Sequence, residues 1–361
     1  MDEKILQIEE KAVYSLRALY SKYGYLPYKM SKFEEYDLYV SNKDFLLGDG
    51  VITFNDDGGK LLALKPDVTL SILKNSAKEK QNKKVYYNET VYRKSNEGNF
   101  REIMQVGVEN IGVVSPYDVF EIVLLAIKSL DEISSDYVLE ISHLGLIGSI
   151  IDGESEEFKR EVVDAVSSKS AHALCEICAR NGKKEKLAPL VALVNAFGSG
   201  DEILSCLDEI YSAPKYSVAV SELKKLYKLI EKAGYGKRVS VDFSLTGNMK
   251  YYNGIVFNGF IKGVSERVLS GGQYDFLAKK IRGKESGAIG FAVYTDLLGG
   301  KTEKTLDFDT VVLYDESTNE IIIFETINKL ISQGKTVRAV MDGQVNGRFN
   351  EIVDIRGGGK C

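Results

Sequence analysis

The chain has 361 residues, of which 44% are hydrophobic and 27% charged, as in a soluble globular protein of one large domain plus a small one, or of two domains. Its 47 lysines and arginines and 52 acidic residues give a formal net charge of −5. It has no apolar run near the roughly 18 residues of a membrane span and no long basic stripe, which disfavours membrane insertion and stable nucleic-acid binding. Without a signal-peptide core or a disulfide framework, the predicted compartment is the cytoplasm.

The first 145 residues alternate between helical and extended patterns. Residues 3–23 form an amphipathic pattern that ends at Gly24 and predicts a helix. NDDGGK at 55–60 predicts a turn between the strands VITF and LLAL. We expect Pro66 in the first turn of a helix over DVTLSILKNSAKE, because proline is tolerated there. Residues 116–133 predict a further helix and residues 137–145 a strand.

The second part begins with a predominantly helical pattern from about 147 to 232, in which GSGDEILSCLDEI predicts a helix capped by Asp201. Strand patterns return at 237–245 and 249–261 and continue through a hairpin to a strand or helix start at 286–298. After about residue 301 the pattern is that of a small β–α–β unit. Antiparallel strands joined by hairpins, with helices inserted, predict an α+β fold with a division into residues 1–300 and 301–361.

The stretch YRKSNEGNFREIMQVGVE at 92–109 predicts a β-hairpin. Arg101, Gln105 and Glu109 fall on one face of its second strand, because successive side chains of a strand point to opposite faces. Two interpretations remain open from this stretch alone. It is either a half-solvated antiparallel strand or a sheet face that holds a small polar ligand.

Cys175 and Cys178 in LCEICAR have the spacing of a metal-binding pair, with His172 nearby. No second CxxC follows, and the segment has helical spacing. Packing in a helix core is the favoured interpretation, so no metal is expected.

Five segments occur in an informative order: LLALKPDVT (61–69), residues 85–112, MKYYNGIVFNGF (249–260), LSGGQYDFL (269–277) and GAIGFAV (287–293). Together they resemble the catalytic core of histidyl-tRNA synthetase and of its non-synthetase paralogue, the regulatory subunit of ATP phosphoribosyltransferase. The resemblance covers about residues 1–298. It implies a class II aminoacyl-tRNA synthetase-like antiparallel sheet flanked by helices, with a helical insertion at about 147–232.

The resemblance also implies a histidine-like pocket and no cofactor. Asp67 and Thr69 match positions that hold an α-ammonium group. Arg93 and Arg101 match the motif 2 arginines, whose guanidinium groups suit phosphate and carboxylate. The remaining matches are Gln105 and Glu109 beneath the ligand, Tyr251 and Tyr252 beside the imidazole, and Gly271 and Gly272 where backbone approaches it.

Several positions depart from the synthetase pattern. Leu297 occupies the place of the motif 3 arginine, and Gly247 that of the arginine before the tyrosine pair. Losing one preorganised donor typically costs about 10²–10³ in rate, so losing two predicts little adenylate formation. The other departures are Lys250 for an aspartate, Lys65 for an arginine and Ser31 for the motif 1 proline.

The sequence therefore favours a non-catalytic regulatory subunit. By resemblance its partner is a short-form ATP phosphoribosyltransferase catalytic subunit, in a hetero-octamer that contains a self-dimer of this chain, with histidine as effector. The short C-terminal part and the acidic balance predict no stable tRNA binding. A divergent histidyl-tRNA synthetase and a stand-alone amino-acid or nucleotide sensor remain as alternatives.

Overall fold

The computed structural model describes residues 6–42, 50–77, 81–94, 98–247, 249, 251–301, 306–343 and 345–357. The expected start of the first helix at residues 3–5, the hairpin-loop residues 95–97, Lys250 and the last four residues lie outside the described residues. The chain divides into two compact units, Met1–Gly300 and Lys301–Cys361. None of the helices in the described ranges has the length and apolar character that crossing a membrane requires.

Most of the α-helices in the described ranges belong to the larger unit. Their bounds are α1 (Ile8–Lys22), α2 (Tyr36–Val40), α3 (Val68–Asn75), α4 (Pro116–Ile133), α5 (Leu144–Ile150), α6 (Glu156–Ser167), α7 (Ala171–Arg180), α8 (Lys184–Asn195), α9 (Gly200–Ile210), α10 (Pro214–Lys232), α11 (Asp275–Arg282) and α12 (Glu320–Ser332). The predicted helix over 116–133 is confirmed, with Ser115 as N-cap and Pro116 at its first position.

The strands form one large sheet and two small ones. Their bounds are β1 (Leu26–Pro27), β2 (Phe33–Glu35), β3 (Thr53–Asn55), β4 (Leu61–Leu64), β5 (Lys83–Lys94), β6 (Phe100–Gly112), β7 (Tyr137–His143), β8 (Phe197–Ser199), β9 (Val239–Asp242), β10 (Ile255–Ile261), β11 (Leu269–Gln273), β12 (Gly287–Tyr294), β13 (Thr310–Tyr314), β14 (Val337–Met341) and β15 (Glu351–Asp354).

The large sheet has the order β1-β5-β6-β12-β11-β10-β7-β9-β8. Its six central strands are antiparallel, whereas β1 is parallel to β5 and β9 is parallel to β7. The expected α+β class with a mainly antiparallel sheet is confirmed. A separate small sheet joins β2, β4 and β3.

Helices cover both faces of the large sheet. One face contributes Val106, Val108 and Phe291 to a core with α1, α4 and α10. The other face contributes Val85 and Tyr87 to a second core with α3 and α11. The alternation predicted for β6 therefore separates two environments, and its polar residues Gln105 and Glu109 share the second one.

Three predicted helix starts differ from the structure. The helix predicted from residue 3 begins at Ile8, with Gln7 as its N-cap. Pro66 precedes α3 rather than opening it, because the Asp67 side chain accepts a hydrogen bond from the Leu70 amide at 2.8 Å and is the N-cap. Asp201 lies in the first turn of α9 rather than at its cap, which is Ser199. Helix α11 and strand β8 were not predicted.

The second unit contains a three-stranded parallel sheet in the order β14-β13-β15 with α12. The predicted β–α–β unit corresponds to β13, α12 and β14. Strand β15 adds a third, unpredicted strand, which pairs with β13 from Thr310↔Glu351 to Leu313↔Asp354.

In α7, Cys178 is buried and belongs to the core of the large unit, as expected for core packing, whereas Cys175 is exposed. Among the described residues no group of three or more histidine, cysteine and acidic side chains is placed to hold a metal ion.

Candidate functional site

A small cavity lies on the face of the large sheet that packs against α3 and α11. Its volume is about 30 Å³, room for a water molecule or two. It is lined by Asp67, Val68, Thr69, Tyr87, Arg93, Gln105, Glu109, Tyr251, Tyr252, Ser270, Tyr274, Gly290, Phe291, Ala292 and Tyr294. Seven of the ten residues expected in the pocket are therefore brought together around a nearly filled space.

Glu109 is the buried acid of this cavity and is only 2% exposed. Its carboxyl accepts a hydrogen bond from Thr69 Oγ1 at 2.6 Å and another from the Tyr274 hydroxyl. Desolvation by burial raises the pKa of Glu109 from 4.5 to about 8, although both hydrogen bonds lower it. At neutral pH the group is largely a neutral acid.

Asp67 and Arg93 also line the cavity. Burial raises the pKa of Asp67, against the Leu70 amide and the positive charge of Arg93, which lower it. Arg93 is oriented by donating from Nε to the Pro66 carbonyl oxygen at 2.9 Å. The chain on the N-terminal side of α3 thus fixes both a carboxylate and a guanidinium group at the cavity.

Tyrosines fill most of the space beside these groups. Tyr251 and Tyr252 meet edge to face with ring centroids 4.7 Å apart, and Tyr251 also lies 5.6 Å from the ring of Tyr274. Tyr251 is buried and Tyr252 is partly exposed at the mouth. This aromatic packing leaves little volume for a ligand.

Three glycines of the central strands, Gly107, Gly272 and Gly290, form the bottom of the site, here called the glycine floor. A Cβ atom on Gly290 would lie 1.9 Å from Glu109 Oε2. A Cβ atom on Gly107 would lie 2.5 Å from the Tyr87 hydroxyl oxygen, and a Cβ atom on Gly272 would lie 2.8 Å from a Tyr252 ring carbon. Pocket side chains therefore lie directly on bare main chain.

Two expected residues, Arg101 and Gly271, lie elsewhere. Arg101 lines a separate cavity of about 430 Å³ together with Arg93, Arg267, Asp296 and others. Gly271 borders a third cavity, of about 630 Å³. A Cβ on Gly271 would meet Phe291 Cβ at 2.4 Å, so this glycine permits close packing between strands.

The departures from the synthetase pattern have visible structural consequences. Leu297 packs against the core of the large unit and borders the 430 Å³ cavity. Gly247 borders the 630 Å³ cavity. Lys65 is fully buried and pairs with Glu89 at 2.5 Å, and it does not line the small cavity.

Sequence reasoning missed Tyr87, Tyr274, Tyr294, Gly290 and Arg267. Tyr87 has the parity of Arg93 along β5, and its register partner Gly107 has the parity of Gln105 and Glu109 along β6. Strand alternation could therefore have identified Tyr87. Tyr274 and Arg267 reach the cavities through loops, for which the sequence offers no periodic signal.

Comparison with known proteins assigns the chain to a family. The sequence pattern of the family described as histidyl-tRNA synthetase matches residues 3–298. The chain belongs to the histidyl-tRNA synthetase family. A relative from Clostridium kluyveri, named ATP phosphoribosyltransferase regulatory subunit, is 31% identical over 340 residues, which cover 88% of this chain and 85% of the relative. A relative of the same name from Clostridium acetobutylicum is 27% identical over 337 residues, covering 89% and 82%.

Solved structures agree on the fold of this member of the histidyl-tRNA synthetase family. A Bacillus halodurans protein titled ATP phosphoribosyltransferase regulatory subunit/histidyl-tRNA synthetase has a TM-score of 0.80 at 22% identity, over 97% of this chain and 94% of that chain. A chain of the ATP phosphoribosyl transferase (HisG:HisZ) complex from Thermotoga maritima has a TM-score of 0.64 at 17% identity, over 81% and 97%.

Proposed function

We propose that this chain is the regulatory subunit of an ATP phosphoribosyltransferase and acts on a separate, short-form catalytic subunit. The observation that carries the proposal is the similarity, over most of both chains, to relatives named as that subunit. The partner joins ATP to phosphoribosyl pyrophosphate in the first step of histidine biosynthesis. The chain itself has no catalytic role, needs no cofactor and works in the cytoplasm.

The loss of cations supports a non-catalytic role. Activation of an amino acid is an in-line attack on phosphorus, whose charge is stabilised by positioned cations. Leu297 and Gly247 stand where the synthetase pattern has arginines, and Leu297 is packed against the core. The cavity of about 30 Å³ at the amino-acid pocket also leaves no room for a bound amino acid in this conformation.

Reconstitution tests this function. Phosphoribosyl-ATP formation is measured for the catalytic subunit alone, for this chain alone and for the mixture. We expect turnover from the mixture and none from this chain. Activity from this chain without its partner, or a mixture no faster than the catalytic subunit, would reject the proposal.

A divergent histidyl-tRNA synthetase is the second candidate, because Arg93 and Arg101 are retained and Arg93 lines the small cavity. Histidine-dependent exchange of pyrophosphate into ATP distinguishes the two functions. The regulatory proposal predicts no exchange. If neither exchange nor activation of a partner occurs, the stand-alone sensor remains.

We propose that histidine acts as the feedback effector through the small cavity in an opened state. Asp67 and Glu109 would face its cationic groups and Arg93 its carboxylate. Opening requires movement of Tyr252, the partly exposed tyrosine at the mouth. An effector that prefers one assembly state shifts the population toward it, typically by about 1–3 kcal/mol of coupling.

The variant Glu109→Ala tests the effector site. We expect at least tenfold weaker histidine binding by calorimetry, with assembly on the partner unchanged, because the acid that faces the ligand is removed. Glu285→Ala, an exposed position after α11, is the matched control. Unchanged affinity in Glu109→Ala would place the effector site elsewhere.

For the assembly we propose a self-dimer of this chain within a hetero-octamer with four copies of each subunit, without stable tRNA binding. Mass determination of the co-expressed complex, with and without histidine, tests the stoichiometry. A one-to-one heterodimer would contradict it.

A further inference from the structure

The largest of the three cavities has a chemical character of its own. It has a volume of about 630 Å³, within the range of small-molecule sites. It is lined by Arg93, Ser167, Ser244, Leu245, Thr246, Gly247, Tyr252, Val256, Phe257, Asn258, Arg267, Ser270, Gly271 and Tyr294. Two guanidinium groups and several hydroxyls are present, and none of these residues is acidic.

Arg267 gives this cavity its second positive charge. It precedes β11 and lines both this cavity and the one of about 430 Å³. The acids Glu102, Glu266 and Asp296 border only the smaller of the two. No ion pair involves Arg267 within the described ranges, and no acidic side chain lines the cavity of about 630 Å³.

Arg93 is the second arginine that lines this cavity. Its Nε donates to the Pro66 carbonyl oxygen, which leaves the two terminal nitrogens for the cavity. Gly247 contributes only main chain there, and a Cβ on it would meet nothing nearer than a Tyr252 ring carbon at 3.6 Å. The open volume therefore depends partly on the absence of a side chain at position 247.

The chemistry of the lining indicates the ligand class. Guanidinium groups bind phosphate through paired, charge-assisted hydrogen bonds. The hydroxyls of Ser244, Thr246 and Ser270, and the amide of Asn258, suit the hydroxyl groups of a sugar. A free amino acid would leave most of these hydroxyl and amide side chains without a hydrogen-bond partner.

We propose that this cavity binds a phosphorylated sugar, with the phosphate held by Arg93 and Arg267 and the sugar against the serine, threonine and asparagine side chains. Arg267 is the residue that determines specificity for the phosphate group. The proposal does not rest on the regulatory function. This cavity shares Arg93, Tyr252, Ser270 and Tyr294 with the small cavity, whereas Arg267 lines this cavity and not the small one.

Calorimetry on the full-length chain tests the proposal, with ribose 5-phosphate and glucose 6-phosphate as sugar phosphates and inorganic phosphate and ribose as partial probes. We expect saturable binding of at least one sugar phosphate at one per chain. Inorganic phosphate should bind at least tenfold more weakly, and ribose should not bind measurably. Absence of saturable binding of both sugar phosphates, or equal affinity for inorganic phosphate, would overturn the proposal.

Variants assign the binding to this cavity. Arg267→Gln should weaken sugar-phosphate binding at least tenfold. The affinity of Arg267→Lys for the sugar phosphate should lie between those of the wild type and Arg267→Gln, since lysine keeps the charge but lacks the planar pair of donors. Arg17→Gln, an exposed position on α1, should bind as the wild type does. Circular dichroism verifies folding, and folded Arg267 variants with wild-type affinity would contradict the assignment.

Discussion

Glu109 lies beneath the tyrosines with its carboxyl protonated near neutral pH, because burial outweighs the two hydroxyls that donate to it. An unfolded glutamate releases its proton near pH 4.5, whereas folded Glu109 does so near pH 8. Between these values the folded state binds more protons than the unfolded state. Its contribution to stability is complete below about pH 4.5 and is lost as the pH rises toward 8.

The variant Glu109→Gln removes this titration. We expect the free energy of unfolding of the wild type, relative to the variant, to fall by at most about 1.4 kcal/mol per pH unit between pH 5 and 8. Urea unfolding at several pH values measures the difference. A constant difference over that window would show that Glu109 ionises normally in the folded chain.

Gly290 is the most restrictive position of the glycine floor. The variant Gly290→Ala places a methyl group against Glu109 Oε2 and within 2.5 Å of the Val108 carbonyl oxygen. We expect destabilisation by about 1–3 kcal/mol, measured by chemical unfolding. The control is Gly148→Ala in α5, where the nearest atom would be Met249 Cε at 3.9 Å. Equal effects of the two variants would contradict the close approach.

The sequence predicted many of the residues that line the small cavity, but it did not predict that tyrosines nearly fill it. Asp67, Thr69 and Glu109 follow from the ordered resemblance, and their assembly depends on the sheet that the resemblance implies. Tyr274 was not predicted, because its hydroxyl reaches Glu109 across a sequence separation of 165 residues. Contacts of that kind depend on the register of strands distant in sequence.

Among the elements, α4 has the most complete N-terminus. Ser115 accepts a hydrogen bond from the Asp118 amide, and Asp118 accepts one from the Ser115 amide. Although desolvation raises the pKa of Asp118, hydrogen bonds led by those from Ser115 lower it to about 2. This capping box starts the helix that packs against the centre of the large sheet.

The variant Ser115→Ala removes the cap. We expect a loss of about 0.5–2 kcal/mol in the free energy of unfolding, because the helix amide loses its acceptor. The matched control is Ser217→Ala, at an exposed position inside α10, which should change stability little. Equal stability of Ser115→Ala and the wild type would show that the cap is dispensable.

Helices and strands with strong capping and periodicity signals in the sequence were predicted more accurately than those without them. Helix α4 combines a cap, a proline at its first position and a long apolar period, and its predicted bounds agree with the structure. Helix α11 has eight residues and lies between two strand motifs, so its period was not recognised. Strand β8 has three residues and pairs with β9, about 40 residues later in the chain. Its formation therefore depends on a contact that the local sequence does not indicate.

For the whole molecule, both hydrophobic cores consist of residues no further along the chain than Leu298. A fragment of residues 1–301 should therefore fold alone, with a thermal midpoint within a few degrees of that of the full chain. Circular dichroism melting measures it. A fragment that shows no cooperative transition would mean that the larger unit needs the second one.

The overall architecture was predicted because five segments occur in family order, and order carries information that a single motif lacks. The pairing of β6 with β12 was beyond local patterns, since its register joins Glu109 to Gly290 across most of the larger unit. The third strand of the second unit was missed for the same reason, because β15 is short and depends on β13.

The glycine floor also limits how the site can change over evolutionary time. The bottom of the site is main chain at the spacing of paired strands, and a side chain added there would collide with its neighbours. Substitutions that change the specificity of the site must therefore occur at its rim. Lineages that retain these three glycines keep the main-chain surface on which the tyrosines lie. Those that lose one must first rearrange the strands, so the floor is expected to outlast whatever ligand the site serves.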